Sequence, residues 1–196
     1  MRRWEPDARG RLQLAALELY GERGFEQTTV VDIAQRAGVT ERTFFRHFAD
    51  KREVLFDGSV ELEHRAVEAV VAAPVTADPV EAVVAGLVAA SAPLDDHRDR
   101  SRLRATTIAG HASLVERELL ELATLTASSA ALDPRGVPDP TAELAAEMGV
   151  TAFKVGFAWW VGDDPPGDLG TCIRSALDQL RGLARPDGAA AAAEDR

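Results

Sequence analysis

From residue 8 to residue 184 apolar side chains recur at intervals of three and four, and the strict alternation of a half-buried strand is nearly absent. A chain patterned in this way folds as packed helices. Turn-forming breaks at Ala73-Pro74, Ala92-Pro93, Gly110, the Asp133-Pro134 to Pro138 stretch and Gly162 to Gly167 divide it into about nine of them. The expected helices run from Ala8 to Tyr20, Thr29 to Gly38, Thr40 to Phe48, Lys51 to Val71, Pro79 to Ala90, Asp96 to Ala109, Ser113 to Ala131, Pro140 to Val161 and Leu169 to Ala184. At 196 residues the chain suits a small domain followed by a larger one. The expected division is 1–55 and 56–185, with 186–196 as a disordered tail.

The second and third helices carry the densest local information. Thr29 with Asp32 three residues on has the form of a capping box, which satisfies free backbone N–H groups at a helix start. Gly38 ends that helix, because glycine tolerates the positive φ of a sharp turn. Thr40 caps the next. Ala34 is small enough for one helix to cross another, and Phe44, with Ile33 and Val39, fills the wedge between them. Small residue, glycine and large apolar residue at this spacing describe a helix-turn-helix, whose second helix enters the DNA major groove by its N-terminal residues, with an ordinary helical hairpin joined by a glycine turn as the alternative.

Charge separates the head from the rest. The net charge is −10, yet the first 55 residues hold ten Arg or Lys against nine Asp or Glu, and the remainder twelve against twenty-three. An acidic body repels phosphate, so only the head suits a polyanion. Cys172 is the single cysteine, which rules out an intrachain disulfide and a thiolate metal cluster and points to a reducing cytoplasm. No signal-peptide run opens the chain, and no stretch approaches the roughly 18 apolar residues of a membrane span.

The run "GFEQTTVVDIAQRAGVTERTFFRHFADKREVLF", within a match from about Leu12 to Phe56, resembles the N-terminal signature of tetracycline-repressor-like (TetR-like) transcriptional regulators. The resemblance implies an all-helical homodimer. It implies three N-terminal helices that bind operator DNA, following helices that hold a small-molecule pocket, and two last helices that pair the subunits. It also implies roles for single residues. His47, Lys51 and Thr28 or Thr29 match positions that touch phosphate, which set register without reading sequence. Phe45 stands where the family more often has tyrosine, so a phenolic hydrogen bond to phosphate is absent while ring packing against the sugar-phosphate edge remains.

On chemistry alone, Arg42 near the start of the recognition helix suits bidentate readout of guanine, with phosphate or solvent contact as the alternative. Thr43 suits a thymine methyl or base edge, and Thr40 a cap plus a phosphate. Glu41 complements the helix dipole or accepts from cytosine. Arg46 faces solvent or the DNA backbone, and Arg2 and Arg3 form either a minor-groove arm or a solvated start.

Two later faces are apolar. Gly149, Phe153, Gly156, Phe157 and Trp160 share one side of the eighth helix, and Ile173, Ala176, Leu177 and Leu180 one side of the ninth. Together they resemble the family's dimerising four-helix bundle, with intrachain packing as the alternative. Arg104, Thr107, His111, Phe153 and Trp159 are the candidate effector pocket. His64, His97 and His111 lie on separate elements with no metal-ligand spacing, and neither a catalytic triad order nor a phosphate-binding glycine loop is present, so neither metal, cofactor nor enzyme activity is expected. The expected function is a cytoplasmic, ligand-responsive repressor that binds a palindromic operator as a homodimer. The alternatives are the same fold switched by a protein partner, and a helical enzyme or ligand carrier.

Overall fold

The computed structural model describes residues 8–130 and 136–184. Among these residues there are nine α-helices, two short 3-10 turns and no strand. The helices are α1 (Ala8–Arg23), α2 (Val30–Arg36), α3 (Glu41–His47), α4 (Ser59–Ala72), α5 (Pro79–Ser91), α6 (Arg98–Ala109), α7 (Ala112–Ser129), α8 (Asp139–Trp160) and α9 (Leu169–Leu183). None of them is long and apolar enough to cross a membrane. The expected tail at 186–196, and Arg2 and Arg3, lie outside the described residues.

Local chemistry accounts for most helix starts. The Thr29 hydroxyl accepts the Asp32 N–H at 3.1 Å, and the Asp32 carboxylate accepts the Thr29 N–H at 2.9 Å, a complete capping box for α2. The Thr29 hydroxyl, and then its backbone N–H, hold the Asp32 carboxyl below its ordinary range. Thr40 caps α3 through the Thr43 N–H at 3.2 Å. Asp78 caps α5 ahead of Pro79, and Asp168 caps α9 through the Thr171 N–H at 2.7 Å.

The expected fourth helix is not continuous. Asp50 accepts the N–H groups of Arg52 and Glu53, but the turn it opens is a 3-10 segment, Glu53–Phe56. Asp57 then leaves the helical region with ψ 129°, Gly58 adopts φ +97°, and α4 starts afresh at Ser59. An Asp-Gly pair is ordinary turn chemistry, and here it interrupts an otherwise helical pattern. The Asp57 carboxylate is also held by Arg9 and Gln13 of α1, which fixes the break against the first helix.

The chain forms two compact units, one of residues 1–59 with 99–119, the other of 60–98 with 120–196. The first contains the head expected at 1–55 and adds α6 with the start of α7. Its core joins Leu12, Leu19, Tyr20, Phe25, Ile33, Phe44, Phe48 and the 3-10 residues Val54, Leu55 and Phe56 to Ile108 and Leu114. The stripe on α1 is the one its periodicity predicts: Leu12, Ala15, Ala16 and Leu19 are all buried. In the second unit α8 packs between α5 and α9, around Val83, Leu87, Val150, Phe153, Trp160, Ile173 and Leu177.

Candidate nucleic-acid interface

The helix-turn-helix stands as its spacing predicts. Gly38 takes φ +67°, the Val39 N–H returns to the Ala34 carbonyl at 2.9 Å, and α3 sets off across α2. Phe44 is fully buried and Ile33 and Ala34 lie beneath it, with Val39 packed on the same core. Because Phe44 points inward, the opposite face of α3 is turned to solvent. Glu41, Arg42, Phe45 and Arg46 are exposed there, and Thr43 and His47 are half-buried.

The electrostatics of this face follow from what pairs with what. In the first unit Arg9 is bound to Asp57, Arg23 to Asp32, Arg36 to Glu18 and Glu22, and Arg52 to Asp50. Further along the chain Arg104 is paired with Glu118 and Arg117 with Glu53. Among the described residues Arg42 and Arg46 have no acidic partner. Arg46 makes only a long contact, 3.4 Å, with the His47 ring. The unit has near-neutral sequence charge, yet its uncompensated cations are concentrated on the exposed side of one short helix, where a polyanion can reach them.

Two of the proposed phosphate contacts are directed elsewhere. Thr28 is fully buried, and its hydroxyl is shared between the carbonyls of Gly24 at 2.9 Å and Leu19 at 3.3 Å. Of the Thr28 and Thr29 pair only Thr29 is exposed, and its side chain also serves the capping box. The Lys51 ammonium donates to the carbonyls of Phe25 at 2.8 Å, Thr28 at 3.0 Å and Glu26 at 3.3 Å, and lies 4.4 Å from the Phe25 ring centroid. Three donors meet three acceptors, so Lys51 clamps the connection between α1 and α2. Tyr20 reinforces the clamp by donating to the Lys51 carbonyl at 2.6 Å, and burial pushes its phenol up from its ordinary range.

Lys51→Ala is therefore expected to lower the stability of the first unit by about 1–3 kcal/mol, the cost of stranding hydrogen-bonded carbonyls. Urea unfolding measures this. Unchanged stability with a salt slope of DNA binding reduced by about one would return Lys51 to phosphate contact.

The faces assigned to a partner subunit are largely kept by the chain itself. Gly149 lies against Val83, whose side chain occupies the place of a Cβ, and Gly156 lies against the α9 backbone, where a Cβ would stand 2.6 Å from Ile173 N. Phe153, Trp160, Ile173, Ala176 and Leu177 are buried within the single chain, while Phe157 and Leu180 are half-buried. α8 and α9 present these buried members to each other and to α5. The candidate pocket residues fall in different units. Arg104 donates to the Leu55 carbonyl and to Glu118 and stacks 5.4 Å from the Phe56 centroid. Thr107 donates to Leu103, and His111 packs 5.0 Å from the Phe25 ring with its Nδ1 on the Thr107 carbonyl. Phe153 and Trp159 lie on α8 in the second unit. Among the described residues no cluster of His, Cys, Asp and Glu is placed to hold a metal ion.

Residues 14–57, which hold this helix-turn-helix, match the family model of bacterial regulatory proteins of the tetR family. Over 75 residues the chain is 39% identical to the HTH-type transcriptional regulator TcmR of Streptomyces glaucescens, a match covering 38% of this chain and 33% of that protein. Residues 14–57 therefore carry the tetR-family segment. The chain spans about one-third of the length of the curated relative it matches. Solved TetR-family structures are similar in fold over most of the chain. The Thermus thermophilus repressor FadR, in complex with lauroyl-CoA, is 23% identical with a TM-score of 0.56, and the match covers 90% of this chain and 95% of that one. A TetR-family protein of Syntrophomonas wolfei is 16% identical with a TM-score of 0.59, covering 91% and 95%. At these identities the likeness is one of fold, and it extends to the helices beyond residue 57.

Proposed function

We propose that this TetR-like chain is a DNA-binding transcriptional repressor that acts as a homodimer on a palindromic operator and is released by a small-molecule effector. The observation that carries the proposal is the pairing pattern of the head, in which Arg42 and Arg46 stand exposed on α3 without an acidic partner among the described residues. Arg42, two residues after the Thr40 cap, donates to guanine O6 and N7, and Arg46, His47 and Thr29 contact the backbone. Thr43 reads a base edge, and Thr40 adds a phosphate contact to its cap.

Two-fold pairing uses a different face from the enclosed one. Leu144, Met148, Thr151 and Val155 recur along α8; Leu144 is 66% exposed, Met148, Thr151 and Val155 are half-buried, and Leu183 on α9 is 78% exposed. Half-buried Phe157 and Leu180 flank the enclosed core, and a partner's α8 and α9 complete a four-helix bundle against this outer stripe. Two recognition helices must meet half-sites about 34–36 Å apart at once. An effector held by the helices that follow the head favours a dimer geometry in which that spacing is lost.

Selection of bound sites from randomised duplexes tests the reading. The expected result is a palindromic consensus containing a guanine in each half-site. On that consensus Arg42→Ala is expected to bind about 10- to 100-fold more weakly and to lose preference at the guanine. Equal loss on the consensus and on random duplex would assign Arg42 to phosphate, and enrichment of no sequence would overturn the proposal.

A further inference from the structure

The exposed face of α3 holds one side chain that neither charge nor hydrogen bonding explains. Phe45 is 55% exposed, between Arg42 one turn before it and Arg46 immediately after. Its ring meets the buried Phe44 edge to face, with centroids 5.5 Å apart and planes at 83°. Phe44 is fully buried, so the contact holds the Phe45 ring against a fixed support and restricts its orientation.

We infer that Phe45 is a specificity-determining residue that reads the 5-methyl group of a thymine in each operator half-site. The inference rests on the DNA-binding function proposed above and names what one further side chain recognises. Phe45 lacks a hydroxyl, so it has nothing to donate to a phosphate. In the major groove the apolar group presented by the bases is the thymine methyl, and phenylalanine is among the side chains suited to it. The flanking guanidinium groups provide the charge complementarity that brings this face against DNA. Glu41, exposed one turn earlier on the same helix, disfavours phosphate on that side of the ring and favours the groove floor. Covering the ring with a methyl removes from water apolar surface that the free protein leaves wet.

The test uses the full-length protein and the selected duplex, with each thymine replaced in turn by deoxyuridine, which differs only in lacking the methyl. Wild-type protein is expected to bind about fourfold more weakly at one thymine position per half-site, the preference associated with burying one methyl-sized group. Phe45→Ala is expected to bind the thymine duplex more weakly and to be indifferent to the same replacement. Thr43→Ser, which removes the other methyl on this face, is expected to keep the wild-type discrimination. The inference is overturned if no thymine is sensitive, as ring packing on the sugar-phosphate edge would give, if sensitivity survives in Phe45→Ala, or if it disappears in Thr43→Ser. A wild-type protein with no sequence-selective binding would overturn the proposed function as well, whereas selective binding without methyl sensitivity would overturn this inference alone.

Discussion

Phe44→Ala is expected to destabilise the first unit by about 3–5 kcal/mol, the range for truncating an enclosed phenylalanine, and to abolish selective DNA binding. Phe44 is fully buried and its ring contacts Phe48 at 5.6 Å between centroids as well as Phe45. The seven residues of α3 are too few to persist as an isolated helix. The position of Arg42 therefore depends on the packing of Phe44. Calorimetry, which resolves the two units if they melt separately, should show the loss in one transition. A melting profile like that of the wild type, with binding intact, would show that the wedge residue does not hold the helix in place.

Gly156→Ala sets two effects against each other. Alanine is favoured over glycine in a helix by about 1 kcal/mol. The added methyl, however, would lie 2.6 Å from both Ile173 N and Ile173 Cα and 2.8 Å from the Cys172 carbonyl carbon, all backbone of α9. No side-chain rotation relieves that contact, so α8 and α9 must separate, and overpacking of this kind costs about 1–3 kcal/mol or more. The net expectation is a lower Tm. Gly182→Ala on α9 is the control, since nothing lies within 4 Å of its added Cβ and only the propensity gain remains. If both substitutions raised the Tm, the close approach of α8 to α9 at Gly156 would be wrong.

How much was legible beforehand depended on the range of the interactions involved. The Thr29 and Thr40 caps, the Gly38 turn and the inward direction of Phe44 involve residues within a few positions of one another, and spacing alone predicts them. The break at Asp57-Gly58 carried a local signal too, an Asp-Gly pair, but the strong helical pattern on both sides outweighed it. Lys51 was different. Its sequence position suggests a basic residue beside the recognition helix, whereas its ammonium is occupied by carbonyls of Phe25, Glu26 and Thr28, more than twenty residues away. Thr28 likewise turns inward to Gly24 and Leu19, and its neighbour Thr29 is the exposed one.

By itself the sequence determined an all-helical chain with a helix-turn-helix near its start, because capping, turn geometry and apolar periodicity are satisfied within one or two helical turns. Only the tertiary structure decided which neighbour each apolar stripe meets. Periodicity states that Gly149, Gly156 and Ile173 face something, but a stripe looks the same whether its own chain or another covers it. Here α5, α8 and α9 close on one another at those residues and leave Leu144 exposed, with Met148 and Val155 half-buried against the same core. The same holds for charge: Arg9, Arg23, Arg36 and Arg52 each meet a carboxylate, whereas Arg42 and Arg46 stand on the surface of α3 with no acidic partner among the described residues.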